Sequence, residues 1–231
     1  MADGGMRDGN VSSDQRAGLD PPTAALVRVA AALAEGKIAV LQQRLAAARV
    51  AAVPDLWIEE LLLQSLLVVG YPLALVAFGV WREVAGLGAG AKEGAEQPDG
   101  AAEQLAHEDW EAWARRGADV CKAVYGRAYH KLLLNLRALH PALEDLVLVD
   151  AYGKVIGRPG LDLKRRELCT VATIAVLGAA QQLHSHLRGA LNTGATRGEV
   201  EAVLAVIDGD LDAERRRSAH VQWEDVRQRK L

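Results

Sequence analysis

Aromatic residues make up only 4% of the 231 positions, and there are two cysteines, Cys121 and Cys169. Ala, Leu and Val dominate instead, a composition that favours helices over strands. Two distant cysteines form no disulfide framework. No CxxC pair or Cys/His cluster with zinc spacing exists, which excludes a zinc ribbon and a vicinal dithiol centre. Free thiols point to a reducing compartment, and so to the cytoplasm. Excess positive charge is also missing: Lys and Arg total 27 against 30 Asp and Glu, a net charge of -3. No polyanion-binding surface follows from that balance, and no nucleic-acid partner is expected. Residues 1–18 lack the apolar run of a signal peptide and, rich in Gly, Asp and Ser, read as a disordered tail.

Charge is absent locally from Leu61 to Trp81, long enough to meet the spanning criterion of about 20 residues. Gly70-Tyr71-Pro72 interrupts that run, and Glu59, Glu60 and Arg82 flank it. The reading is two buried helices joined by a turn, with no membrane partner.

Half of the residues are apolar, so a sizeable core is available. Helical periodicity and breakers predict helices over 23–34, 38–51, 56–69, 72–84, 103–124, 127–139, 143–151, 164–177, 181–192, 198–207 and 213–230. Residues 152–160 carry three glycines and Pro159 and read as a loop. Residues 86–102 are rich in Gly, Ala and Glu and read as a flexible linker. No segment shows strand alternation, so the fold class is all-α, helical hairpins packed as a bundle. An ungapped shift of 142 residues also superposes Leu26, Val29, Ala30, Gly36, Leu41, Leu45, Ala48, Glu59 and Leu62 on identical residues. The pattern suggests a duplication, with a first copy at 19–85 and a second domain at 103–231.

The chemistry-bearing segment runs from Arg158 to Val200. Glu167 stands eleven residues before Gly178 and His186 eight after it. If the two helices fold back antiparallel, a rise of 1.5 Å per residue leaves the side chains about 4–5 Å apart in height. A carboxylate meeting an imidazole beside apolar faces is a plausible proton-transfer pair. The plain alternatives are a half-buried structural histidine and an acid favoured by the helix N-terminus. His184 reads as a surface residue, Cys169 as a small core residue and Arg215-Arg216-Arg217 as a solvated face. Under the 142-residue shift Glu167 meets Ala25 and His186 meets Arg44, so the first copy reads as structural.

Arg158-Pro-Gly-Leu-Asp, Arg166-Glu-Leu and the run from His186-Leu-Arg-Gly-Ala-Leu-Asn to Glu199-Val200 resemble the carboxymuconolactone decarboxylase-like family, which includes the alkylhydroperoxidase D branch. The likeness extends over about 115–207. A weaker one covers about 19–84, on Trp57-Ile-Glu-Glu and Gly70-Tyr-Pro-Leu-Ala-Leu. The resemblance implies an alkylhydroperoxidase D-like helical bundle, here duplicated, in a homo-oligomer, a trimer or hexamer. It implies decarboxylation of a small carboxylated lactone or acid without a cofactor, with His186 as proton donor and Glu167 as its partner. Arg158 or Arg188 would hold a substrate carboxylate. In the peroxidase branch two thiols stand where this chain has Ala179 and Gln182, so such chemistry here would rest on Cys169 alone. Where the decarboxylase branch usually has loop tryptophans, this chain has Tyr152 and Ile156. A non-catalytic oligomeric helical protein is the third reading.

Overall fold

The computed structural model describes residues 18–87 and 108–229; most of the expected tail (1–18) and linker (86–102) lies outside them. Helices α1 (Pro21–Glu35), α2 (Ile38–Val50) and α3 (Asp55–Val84) come first. Helices α4 (Trp110–Tyr125) and α5 (Tyr129–Leu139) follow. A helical turn, Leu143–Asp145, then leads into a π-helix, Leu146–Ile156. Helices α6 (Leu163–Leu177), α7 (Ala180–Asn192), α8 (Arg197–Val206) and α9 (Ala213–Gln228) complete the chain. There is no strand among the described residues, and the all-α expectation holds.

Local sequence explains the helix ends. Asp20 and Asp162 cap α1 and α6, each accepting a backbone N–H three residues on, from Thr23 at 2.8 Å and Arg165 at 3.0 Å. Gly36 and Gly178 end the same two helices in the left-handed region, at φ 67° and 75°. A shift of 142 residues carries the bounds of α1 and α2 onto those of α6 and α7, and the start of α3 onto that of α8. It also carries the Trp81 Nε1–Glu59 hydrogen bond (3.4 Å) onto that of Trp223 Nε1 to Glu201 (3.3 Å). Helices α1 and α6 lie side by side with N-termini at the same end. Arg165 Nε donates to Thr23 Oγ1 at 2.8 Å, and Thr173 Oγ1 donates to the Ala30 carbonyl at 3.3 Å. Leu26, Leu45, Ile58 and Trp81 share one core with Leu168, Leu187, Leu204 and Trp223.

A smaller core of Cys121, Val124, Tyr152 and Ile156 joins α4 to the π-helix. Their backbones nearly touch: a Cβ on Gly117 would strike the Leu148 carbonyl, and one on Gly153 the Trp113 carbonyl. This crossing corrects the sequence reading, which ended a helix at 151 and made 152–160 a loop. Glycine reads as a breaker, but here Gly153 lets the π-helix press against α4. The helix therefore continues to Ile156, and the Gly157 N–H donates to the Tyr152 carbonyl at 2.8 Å.

Gly70 breaks α3 at φ 75°, ψ 170°, as its sequence suggests. The helix is long and apolar enough to cross a membrane by length and composition, and 33% of its most apolar stretch is buried. Beyond Gly70, Ala74, Ala77, Val80 and Trp81 face inward while Tyr71, Leu73, Leu75 and Val76 are exposed. The expectation of two buried helices is thus corrected for the second half. Burial needs a neighbour on both sides, and the described residues provide one.

A buried ion cluster ties α3 to α6. Glu60 accepts from Arg166 Nη2 at 2.7 Å and Arg158 Nε at 3.1 Å. Arg166 is wholly buried and also donates to the Leu161 carbonyl at 3.0 Å. Removing one member of a buried ion pair strands a charge, at about 3–5 kcal/mol. Glu60→Ala should lower the unfolding free energy in urea by about that much. The exposed Glu83→Ala should change it by less than about 0.5 kcal/mol. Equal effects would remove the cluster from the stability of the fold.

Candidate active site

Helices α6 and α7 fold back on each other about Gly178. Glu167, on the second turn of α6, is buried, at 1% exposure. His186, on α7, reaches it: Nδ1 lies 2.8 Å from Glu167 Oε2. With the carboxylate ionised, Nδ1–H is the donor, which leaves Nε2 for a substrate. The height match read from the sequence therefore becomes a direct contact.

Room for the carboxylate comes from Gly189, one turn beyond His186. A Cβ there would collide with Glu167 Oε2 and crowd Val124. Gly189 lay inside the recognised run of residues, yet nothing in the sequence marks it as the space under the carboxylate.

The pair opens on a cleft of about 390 Å³. Its walls are mostly apolar: Leu67, Val68, Val147, Ala151, Ile156 and Ile174. Gln64, Tyr125, Tyr152, Thr170 and Gln182 supply the polar groups, and no Lys or Arg lines it among the described residues. Three elements assemble it: the α6–α7 hairpin, the π-helix with the end of α4, and residues 64–68 of α3. The first half of the chain thus provides one wall. Tyr125 and Gln64 were not singled out from the sequence, because only folding brings them to Glu167; Tyr152 was noted only as standing where the family's loop tryptophans are expected.

The other predicted residues stand elsewhere. Arg158 is held against Glu60 and borders a separate groove beside Trp57 and Leu163. Arg188 is partly buried on α7 and outside the cleft lining. His184 pairs with Asp225 at 3.0 Å. Cys121 and Cys169 are free and fully buried. Burial pushes both thiols up to about 12, so neither is a thiolate near neutral pH. That is the opposite of what a peroxidatic cysteine needs.

The 142-residue shift carries the cleft onto a second groove. Thr170, Leu177, Ala179, Gln182 and His186 correspond to Arg28, Glu35, Lys37, Val40 and Arg44, and Val68 to Asp210. There Arg44 is bound by Asp210 through both nitrogens, at 2.9 and 2.6 Å.

The family profile described as "Carboxymuconolactone decarboxylase family" matches residues 146–221, which contain both Glu167 and His186. The chain is 31% identical over 91 residues to 4-carboxymuconolactone decarboxylase of Acinetobacter baylyi, covering 39% of this chain and 68% of that protein. The chain belongs to the carboxymuconolactone decarboxylase family. It is 40% identical over 90 residues to nitrosuccinic acid decarboxylase of Metarhizium robertsii, covering 38% of this chain and 63% of that relative. An uncharacterised protein of Paracoccus denitrificans is 32% identical over 90 residues, with 38% of this chain and 67% of that protein covered.

Two outcomes are expected for the family site. In Gly189→Ala the new methyl should displace the carboxylate, the mobile end of its side chain, rather than the backbone. The downfield proton resonance of a carboxylate-bound His186 Nδ1–H should disappear, and because a buried carboxylate then loses its partner the melting temperature should fall while the helical circular dichroism is kept; persistence of the resonance in the folded variant would show that Gly189 does not place Glu167. Alkaline stability reports on the buried acids. The unfolded chain ionises its thiols near their ordinary value of 9.0 and the folded chain at about 12. Between these values the unfolded state binds fewer protons, so stability should fall as pH rises above about 9. Cys169→Ala should flatten that fall in urea titrations at pH about 8 to about 10.5; an unchanged slope would contradict it.

Proposed function

We propose that this protein catalyses cofactor-free decarboxylation of a small carboxylic acid whose departing carboxylate lies beside an electron-withdrawing group. The observation that carries the reading is the 2.8 Å Glu167–His186 contact at the wall of an apolar cleft. The printed names of two relatives, a carboxylated lactone decarboxylase and a nitrosuccinic acid decarboxylase, support it. Both substrates carry their own electron sink, a lactone or a nitro group.

In this reading the C–CO2⁻ bond breaks and its electron pair moves onto the acceptor, forming a dienolate or nitronate as CO2 leaves. His186 Nε2–H then delivers a proton to carbon, and the imidazole regains one from solvent. Glu167 fixes the imidazole through Nδ1 and stabilises its charged form. Apolar walls favour the first step, because the compact negative charge of a carboxylate spreads out as CO2 departs. Arg158 and Arg188 stand outside the lining, so Gln182 is the side chain assigned to the substrate's remaining polar group.

The test is CO2 release from 4-carboxymuconolactone and from nitrosuccinate. Wild type should turn over at least one of them, and His186→Ala should be slower by about 100-fold or more. Equal rates would remove His186 from the chemistry, and no release above background from either acid would sink the decarboxylase reading.

A further inference from the structure

The proposed reaction places negative charge on the substrate's acceptor oxygen within a cleft that already holds the Glu167 carboxylate. No cationic side chain lines that cleft among the described residues, so neutral donors must meet the charge. Most of them are already used. Gln64 Nε2 donates to the Arg166 carbonyl at 3.0 Å and to Thr170 Oγ1 at 2.8 Å. The Thr170 hydroxyl donates to the Arg166 carbonyl at 2.8 Å. Gln182 is exposed.

Tyr125 and Tyr152 are left, and they form a chain. Their rings meet edge-on at 6.3 Å, and the Tyr125 ring meets that of His186 at 6.3 Å as well. The two hydroxyls also interact with each other. Of the two, Tyr125 is the one whose ring also meets His186, so the proton at issue is that of the Tyr125 hydroxyl. Burial keeps that proton in place, pushing Tyr125 up to about 12. The backbone is pinned too: Asn192 Nδ2 donates to the Val124 carbonyl at 2.8 Å, joining the end of α4 to α7.

We infer that Tyr125 is a second catalytic group of this site, its hydroxyl donating a hydrogen bond to the oxyanion formed on the substrate as CO2 departs, with Tyr152 as the positioning residue that aims it. The assignment rests on the decarboxylase reading for its reaction. The oxyanion donor itself can be tested without turnover.

The probe is 4-nitrophenol, titrated into the full-length protein near the probe's own pKa, with absorbance separating bound phenolate from bound phenol. An oxyanion donor favours the phenolate, whereas a change in cleft shape alters the affinity of both forms together. Tyr125→Phe, which keeps the ring, should lower the bound phenolate-to-phenol ratio by about tenfold or more. Tyr152→Phe should lower it by less. An equal ratio in wild type and Tyr125→Phe, or no binding of the probe by wild type, would overturn the assignment. If the ratio shifts as expected while neither acid is decarboxylated, the oxyanion donor stands and the reaction assigned above fails. If decarboxylation proceeds with unchanged kcat in Tyr125→Phe, the donor role is lost and the reaction stands.

Discussion

A carboxylate buried between two arginines decides where α3 lies. Glu60 accepts from both Arg158 and Arg166, so α3 is drawn against α6 and the loop before it. A charge taken out of water costs several kcal/mol unless it is met closely, so this part of α3 has little freedom to slide. Gln64 stands one turn beyond Glu60 and is bound to the Arg166 carbonyl and Thr170. Leu67 and Val68 follow on the next turn and line the cleft. The wall facing Glu167 and His186 therefore inherits its place from an ion cluster that lies outside the cleft lining.

The cleft itself combines one buried carboxylate with groups that stay protonated. Burial and the Glu167 charge raise the acids around it: Cys121, Tyr125 and Tyr152 all shift upward, with desolvation the first cause. Such a setting disfavours further negative charge. It therefore suits a reaction whose starting material is a carboxylate and whose leaving group is neutral.

What the sequence disclosed was mostly local. Asp20, Gly36, Asp162 and Gly178 fix helix ends through contacts within a few residues, and the predicted bounds of α1, α2, α6 and α7 fall within a residue or two of those observed. Glu167 and His186 were legible because a hairpin about Gly178 turns sequence separation into height. The π-helix was not legible, since Gly153 serves a backbone crossing set by α4 rather than a turn. Tyr125 and Gln64 reach the cleft from helices far away in sequence, and no periodicity announces such a meeting. The exposed side of α3 beyond Gly70 was misread for a related reason: hydropathy records what a face prefers, not which neighbour is present.

The second groove shows why one half alone has candidate chemistry. It occupies the place equivalent to the cleft under the 142-residue shift. The π-helix and α4 residues that wall the Glu167–His186 cleft have no counterpart in its lining, and three of the shifted side chains bear directly on proton transfer. Ala25 replaces the carboxylate, Arg44 replaces the imidazole, and Asp210 stands where the Glu167–His186 cleft has Val68. A guanidinium keeps its proton at any ordinary pH, and Asp210 holds it bidentately. That groove gains an ion pair between the two halves and loses a group able to exchange protons. In the other cleft the apolar Val68 leaves His186 uncommitted on its cleft side, so its polar partner there is available to come from the substrate.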